Sequence, residues 1–381
     1  MSGHYDYLIV GCGFSGATLA ERIARELDAK VLIIDRRDHI GGNAYDHLDE
    51  NGILIGRYGA HIFHTSSEKV WNYISRFTEF NTYVHRVDAC WQGNYYALPL
   101  NLATINSFFG KQMTAGELPA FLDSIRVHLD SPKNAEEAVI SRVGWDLYEA
   151  FYRTYTKKQW GIDPKDLDAS VTLRLPIRMN SDTRYFTDPW QGIPVGGFTK
   201  VFERMLNHKN IHLALNTDYK DAMQGVRYRK LVFTGPIDVF FDYAFGRLPY
   251  RSIEFRFETL PWEHVQHMGV VNYPNDYEFT RCVEYKWLYQ QQHEKTTVSR
   301  DYPCWNDDEP YYPIPSPGSS ELYLKYKELA DRTADTYFCG RLGTYTYYNM
   351  DQCIAQALAL FENRIATEAR THQLLEAANP T

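Results

Sequence analysis

Residues 5–10 (Tyr-Asp-Tyr-Leu-Ile-Val) are a mostly apolar run of strand length that stops at Gly11-Cys12-Gly13-Phe14-Ser15-Gly16. Behind it Leu19, Ile23 and Leu27 recur at every fourth position, the spacing of one helix face. Residues 31–34 are apolar throughout and end at Asp35. Strand, glycine-rich turn, helix, strand and acid predict a βαβ unit built for a dinucleotide. The glycines let the backbone approach a pyrophosphate at the helix N-terminus, and the acid accepts from a ribose hydroxyl.

From about residue 66 to 165 the pattern is helical. Residues 67–77 predict one helix. Residues 117–129 predict another, with Leu118, Phe121, Leu122, Ile125 and Leu129 as its apolar stripe, and 134–160 predict two more. The period then changes. Ile253, Phe255 and Phe257 alternate with Ser252, Glu254, Arg256 and Glu258, which is a half-buried strand, and 269–273, 279–285 and 296–300 are further strand candidates. Residues 231–234, followed by Gly235-Pro236, predict a buried strand returning to the first domain. A last helix starts near Met350 with Ile354, Leu358, Phe361 and Ile365 on one face, and the tail from His372 carries no pattern. The expected organisation is interleaved. A nucleotide-binding domain takes 1–65, 206–247 and 317–381, an α-helical domain takes 66–180, and an antiparallel β-sheet domain takes 181–205 and 248–316.

Charge narrows the partners. With 40 Lys+Arg and 48 Asp+Glu among 381 residues, the net charge of −8 argues against a general nucleic-acid binder, so any phosphate must be held by a few placed cations. The longest apolar runs are strand-sized, so no membrane span is expected, and the polar start leads straight into a strand, so no signal peptide is expected. Cys12, Cys90, Cys282, Cys304, Cys339 and Cys353 lack CxxC spacing and read as free thiols of a cytoplasmic protein. The excess of 29 Tyr, 20 Phe and 8 Trp suits a core and equally suits stacking on planar ligands.

Several segments carry candidate chemistry. Gly41-Gly42, just past the ribose acid in 36–45, fits a flavin-binding loop better than a nicotinamide enzyme; a plain surface loop is the alternative. His61 and His64 in 58–65 lack the further ligands a metal would need. They read either as a loop pressed on a flat cofactor or as two structural histidines. Tyr155 and Trp160 in 155–161 can clamp a base or sugar, or pack a helix end. Arg174 and Arg178 in 171–180, with Arg251 and Arg281, are candidates for a diphosphate, which calls for two fork-shaped cations; singly, each reads as a surface ion pair. Tyr185, Tyr312 and Tyr347 can donate to phosphate oxygens or simply pack. Gly340-Arg341-Leu342-Gly343 precedes a helix N-terminus at 350–352, whose positive end suits the pyrimidine edge of a flavin. No GxSxG, HExxH or P-loop occurs, and no general base stands out, so the chemistry is expected to belong to a cofactor.

On residues 11–16, 37–45 (RDHIGGNAY), 58–65 (YGAHIFHT), 155–161 (YTKKQWG), 171–180, 191–198 (QGIPVGGF), 234–238 (TGPID), 309–313 (EPYYP) and 340–345 (GRLGTY), the chain resembles the bacterial UDP-galactopyranose mutases over nearly its whole length. The resemblance implies an α/β fold in which an FAD-binding Rossmann-like domain carries an inserted α-helical domain and an antiparallel β-sheet domain. It implies an isomerase that interconverts UDP-galactopyranose and UDP-galactofuranose with no net redox change, feeding polysaccharide synthesis. FAD works in its reduced form: N5 displaces UDP from the anomeric carbon, the adduct opens to an iminium ion, and the sugar recloses through another hydroxyl. By similarity Arg174, on a mobile lid, and Arg281 hold the diphosphate, with Arg251 a further contact. Tyr185, Tyr312 and Tyr347 donate to it. Tyr155 stacks the uracil, with Phe151, Tyr152 and Asn272 nearby and Trp160 under the nucleotide-sugar. His61 and His64 lie on the flavin side. Flavin contacts fall on Gly11, Gly13, Phe14, Ser15, Asp35, Arg36, Gly42, Asn43, Ala44, His61, Ile62, Gly340, Arg341, Tyr347, Met350, Asp351 and Gln352. Members are often homodimers.

Two positions depart from the family pattern. Asn349 stands where members usually have Asp, and Gly56 where many have His. The departures leave open the same chemistry on UDP-N-acetylgalactosamine, UDP-arabinopyranose or a dTDP-6-deoxyhexose such as dTDP-fucose. An amine-oxidase-like flavin oxidoreductase and a non-catalytic nucleotide-sugar binder are the readings from other classes.

Overall fold

The computed structural model describes residues 3–371 apart from Arg174 and Asp307. The apolar run that opens the chain becomes the centre of a five-stranded parallel sheet, in the order Thr336–Phe338, Arg227–Phe233, His4–Val10, Val31–Ile34, Ile211–Ala214. Leu8 lies opposite Leu32 on one side and Leu231 on the other. A central parallel strand is covered on both faces, which is why these strands are apolar without alternation. Behind the first strand, helix Phe14–Glu26 lays Leu19, Ala20 and Ile23 against Ala357 and Phe361 of the C-terminal helical segment. The return strand expected at 231–234 is Arg227–Phe233.

The second sheet has seven strands, in the order Tyr312–Pro313, Tyr250–Leu260, Thr296–Cys304, Arg281–Glu284, Val270–Asn272, Val87–Trp91, Asn94–Leu98. All neighbours are antiparallel except Val270–Asn272 with Val87–Trp91. Here the structure corrects the expectation that 66–165 is wholly helical, because residues 87–98 are a hairpin. Its turn is Gln92-Gly93, both at positive φ (50° and 77°), the geometry of a two-residue hairpin loop. The strands are short and half exposed, so their alternation is weak.

A second correction concerns 181–205, expected to belong to the sheet. Trp190–Gly192 pairs instead with Phe63–Thr65 in a two-stranded ribbon. Helix Phe198–Leu206 follows it and buries Phe198 and Phe202 against Phe14. Asp46 holds the start of that helix, accepting from Phe198 N (2.5 Å) and Thr199 N (2.8 Å). Third, the helix expected over 117–129 is Leu118–Ile125, and Leu129 lies beyond it, 37% exposed.

The two expected helices over 134–160 are Ala135–Phe151 and Arg153–Trp160. The first is broken at Gly144 (φ 77°, ψ −179°), where a Cβ would stand 2.4 Å from the Ile125 carbonyl oxygen. Only glycine allows this approach, and the helix beyond the break ends at Phe151, which with Tyr152 lines the site described below. One continuous core, with Phe14, Phe63, Phe202, Val283, Tyr285 and Ile354, runs from the parallel-sheet side to the seven-stranded sheet and fixes the cleft between them. All six cysteines are free thiols. Among the described residues no helix is long and apolar enough to cross a membrane.

Candidate active site

The first half of the site is a slot walled by backbone. Gly11 (φ 99°) leaves no room for a side chain: a Cβ there would stand 2.1 Å from Thr234 Oγ1, and one at Gly16 would stand 1.9 Å from the Gly11 carbonyl oxygen. Gly13 and Gly42 face each other, since a Cβ on Gly42 would come within 3.0 Å of Gly13 Cα. This pair lies at the N-terminus of helix Phe14–Glu26, where free N–H groups and the helix dipole favour an anion. Asp35 is oriented by the backbone, accepting from Cys12 N (2.8 Å) and Arg37 N (3.0 Å), and each oxygen keeps a lone pair for a hydroxyl.

Arg37 lies over the Tyr58 ring (4.3 Å) and donates to Asn43 (2.9 Å) and Glu309 (2.7 Å). Arg36 joins Glu309 (3.2 Å) and the Asp308 carbonyl. The 309–313 segment is thereby tied to the loop after the ribose acid. Ala44 is buried, and Ser15 abuts Gly340, whose Cβ would stand 2.9 Å from Ser15 Oγ. The Phe14 ring is in the core, so at this position only the backbone reaches the slot.

The second half is a partly open cavity of about 460 Å³. It brings together His61, Ile62, His64, Phe151, Tyr152, Tyr155, Trp160, Tyr185, Asn272, Arg281, Tyr312, Arg341, Tyr347, Asn349 and Met350. Helix Arg153–Trp160 supplies Tyr155 and Trp160 from one wall. The facing wall is the sheet, where Asn272 and Arg281 are register partners on adjacent strands. The Tyr312 and Tyr347 rings are 4.8 Å apart, and each is 6.3 Å from Trp160. Arg341 stands 5.2–5.9 Å from the Tyr311, Tyr312 and Tyr347 rings, and its N–H groups are bonded to the Tyr348 and Tyr311 carbonyls.

Arg281 donates to the Tyr155 hydroxyl (3.2 Å), and its Nε lies 3.3 Å from Asp301 Oδ2. Burial works against the Arg281 charge, but Tyr155 and Asp301 beside it outweigh that and raise its pKa further. Burial also pushes the Asp301 carboxyl up to about 6, against the pull of Arg281. Gln159 and Asn272 line this cavity, each 7% exposed, and their side-chain carbonyl oxygens are buried with no hydrogen-bond partner among the described residues. Buried acceptors of this kind call for donors from a ligand or water.

Some expected residues take other roles. The Arg251 guanidinium lies behind the cavity helix, donating to the carbonyls of Gln159 (3.1 Å), Lys158 (3.1 Å) and Pro303 (3.0 Å) with Trp305 over it (4.7 Å). It does not line the cavity. Arg178 grips the carbonyls of Asp182, Arg184 and Tyr185, holding the loop that carries Tyr185. Gln352 receives the Asn349 N–H (2.9 Å) at the start of helix Met350–Leu360, and neither it nor Asp351 lines the cavity. Arg174 lies outside the described residues. Asn349 is the N-cap of that helix, a position where Asn and Asp are equivalent, so the departure from Asp keeps the helix start and removes a charge. At Gly56 a Cβ would stand 2.5 Å from the Gly59 carbonyl oxygen, so this loop is closed too tightly for histidine.

Other lining residues carried no usable signal. His85, Phe186 and Tyr311 come from loops or short strands. Phe186 stacks on His64 (3.6 Å), whose Nδ1 is 2.9 Å from Asp188. Asp301 is set beside Arg281 only by strand register.

Burial lowers His61 to about 4 and His85 to about 3, so both are neutral imidazoles. Unfolded histidines take up a proton near their ordinary 6.5, whereas these do so only below 4. The stability they contribute is therefore complete above 6.5 and lost as the pH falls toward 4, by about 3 kcal/mol for His61 at about 1.4 kcal/mol per pKa unit. Thermal melts at pH 7 and about pH 4.5 should show this loss, and His85→Phe should make the acid limb shallower. An unchanged acid limb would place His85 in contact with water.

Fold and site together define an enzyme that sets a dinucleotide slot beside an arginine-bearing aromatic cavity. The sequence pattern of the UDP-galactopyranose mutases matches residues 150–347, and that of an NAD(P)-binding Rossmann-like domain matches residues 9–77. The chain is 40% identical over 376 residues to a probable UDP-galactopyranose mutase of Klebsiella pneumoniae, covering 96% of each chain. It is 39% identical over 362 residues to a dTDP-fucopyranose mutase of Escherichia coli, covering 92% of this chain and 96% of that one. Its fold matches the crystal structure of a reduced UDP-galactopyranose mutase with a TM-score of 0.76 at 18% identity, over 95% and 96% of the two chains. The chain belongs to the UDP-galactopyranose mutase family and is a mutase, an isomerase.

Proposed function

We propose that the chain interconverts the pyranose and furanose forms of a nucleoside-diphosphate sugar, with UDP-galactose as substrate and FAD as a cofactor that works reduced. The observation that carries this is the cavity: the half-buried guanidinium of Arg281 bonded to Tyr155, buried amide oxygens on Gln159 and Asn272 without partners among the described residues, and three clustered rings. That donor and acceptor set suits a diphosphate joined to a flat base and a hydroxylated sugar. The slot fits a flavin dinucleotide: facing glycines narrow it, a helix N-terminus meets the pyrophosphate, and Asp35 meets the ribose.

Reduced FAD, when bound, supplies the electron pair that displaces the nucleoside diphosphate from the anomeric carbon. The protein side chains do the rest. Arg281, with Arg174 from the 171–180 motif, neutralises the departing diphosphate, and Tyr185, Tyr312 and Tyr347 donate to its oxygens. Held by these groups it stays close, so that its return is effectively unimolecular. His61 and His64 stand on the flavin side. The domains are interleaved, with the hairpin 87–98 joining the sheet and helix Phe198–Leu206 packing on the nucleotide-binding side, and the 171–180 segment acts as a lid over the sugar.

A second substrate has support from Asn349. It removes a negative charge where the family usually has one, and one relative of nearly equal identity is named for dTDP-fucopyranose. Dithionite-reduced and oxidised protein should be incubated separately with UDP-galactopyranose and dTDP-fucopyranose, and the products separated by chromatography. UDP-galactofuranose should form with reduced protein only. Turnover of dTDP-fucopyranose alone would reassign the substrate, and turnover by oxidised protein would sink the role of the reduced cofactor. Stoichiometric O₂ or NAD(P)H consumption would mark an oxidoreductase instead.

A further inference from the structure

Lys158 sits in the last turn of the cavity helix, between Tyr155 and Trp160, yet its side chain leaves the cavity. Its ammonium reaches into the turn that joins strands Val270–Asn272 and Arg281–Glu284. There it donates to the backbone carbonyls of Tyr273 (2.6 Å), Asp276 (3.2 Å), Tyr277 (3.3 Å) and Phe279 (3.2 Å). Carbonyls are acceptors only, so four of them converging on one point need a cation or a cluster of donors between them.

The two ends of this turn are Asn272 and Arg281, both lining the cavity opposite Tyr155. From behind, Arg251 takes the carbonyls of Lys158 and Gln159, which are among the last of the helix and have no partner within it. The helix end is thus held by two cations. Arg251 ties it to the sheet, and Lys158 ties it to the turn that presents Arg281.

We infer that Lys158 is a positioning residue for nucleotide binding, whose ammonium, seated in the carbonyls of Tyr273, Asp276, Tyr277 and Phe279, holds Tyr155 against Arg281. The inference rests on the nucleotide-sugar reading above and extends it to a residue outside the cavity. Without the ammonium, four carbonyls point at one another, the turn relaxes, and the 3.2 Å contact between Arg281 and Tyr155 loses its support. The charged group acting on the Lys158 ammonium is Asp276 on the turn, which favours it, while Arg251 on strand Tyr250–Leu260 meets the Lys158 backbone carbonyl through Nη2. Burial lowers the Lys158 pKa to about 8, so the cation predominates at pH 7 and is lost as the pH rises through 8.

The test is calorimetric binding of UDP and dTDP to the flavin-loaded full chain. Lys158→Met should weaken binding at pH 7 by about tenfold with flavin content unchanged. In Lys158→Ala, ammonium or ethylammonium chloride should restore part of the affinity, and sodium chloride at equal ionic strength should not. The affinity of the unaltered chain should fall more steeply from pH 7 to 9 than that of Lys158→Met, which keeps only the titration of the ligand and of the other site groups. A merely structural lysine would give neither the rescue nor the difference in pH profile. Unchanged affinity in Lys158→Met, or a lack of both rescue and pH dependence, would overturn the inference and leave the nucleotide-sugar reading standing. If Lys158→Met does not fold, the pH profile of the unaltered chain and the intermediate affinity expected of Lys158→Arg decide the matter. If the unaltered chain binds neither diphosphate at pH 7, the nucleotide-sugar reading falls and takes this inference with it.

Discussion

Alanine in place of Arg281 lowers the mutase rate by about 10²–10³-fold while the protein keeps its flavin. That is the usual size of the loss when one preorganised group facing developing negative charge is removed from a water-poor site. Arg281 is the described guanidinium that meets both the aromatic wall, through Tyr155, and a buried carboxylate, through Asp301. The slot for the dinucleotide is built from other segments, which is why flavin content should hold.

Truncation has a second consequence. It strands Asp301, 3% exposed, without its counter-charge, and Asp301 should then take up a proton at neutral pH. Arg281→Ala combined with Asp301→Asn separates the two effects. The double variant should recover thermal stability and remain as slow as the single one. Arg281→Lys keeps charge without the fork and should lose less. Loss of flavin from Arg281→Ala would mean that Arg281 supports the slot and not the substrate.

The next largest effect is expected at Gly13. A Cβ added there would come no closer than 3.8 Å to another residue, and the backbone is extended at φ −84°, so alanine fits the protein itself. What alanine adds is a methyl group on the turn at the helix N-terminus, where the pyrophosphate of a dinucleotide would lie. Gly13→Ala should melt within a few degrees of the unaltered chain and bind flavin about tenfold more weakly, a loss of about 1.4 kcal/mol; Gly13→Val should lose more. Gly16→Ala is the contrast. Its Cβ would stand 1.9 Å from a carbonyl oxygen inside the turn, so it should destabilise the fold whatever is bound. Absorbance of bound flavin after gel filtration, set beside melting temperature, reads both. Full flavin occupancy in Gly13→Val would show that the cofactor does not pass this point.

The parts of the protein legible along the chain are those in which neighbouring residues cooperate. The first βαβ unit was readable because its strands, helix, glycines and acid lie within one short stretch, and each has a local physical signature. The same holds for the stripe of Met350–Leu360 and for the helix pair ending at Trp160. The hairpin at 87–98 was not readable, because a short strand at a sheet edge exposes half its residues and only Gln92-Gly93 marks its turn. Residues 181–205 were misplaced for a related reason: a three-residue strand such as Trp190–Gly192 pairs wherever a partner edge is offered, and nothing in its own sequence says which.

The site divides in the same way. Glycine loops, Asp35 and the clusters of Tyr, Trp and Arg are visible as residue types, so the chain alone determined a nucleotide-binding turn and a set of candidate cations and rings, and by resemblance the family. It could not say that Asp301 stands behind Arg281, that Lys158 turns out of the cavity, or that Arg251 caps a helix end. Those facts depend on strand register and on the angle at which a helix crosses a sheet, which arise from packing among residues far apart in sequence. A guanidinium has the same chemistry at every position, and only the folded surroundings decide whether it meets a carboxylate, a carbonyl or a ligand.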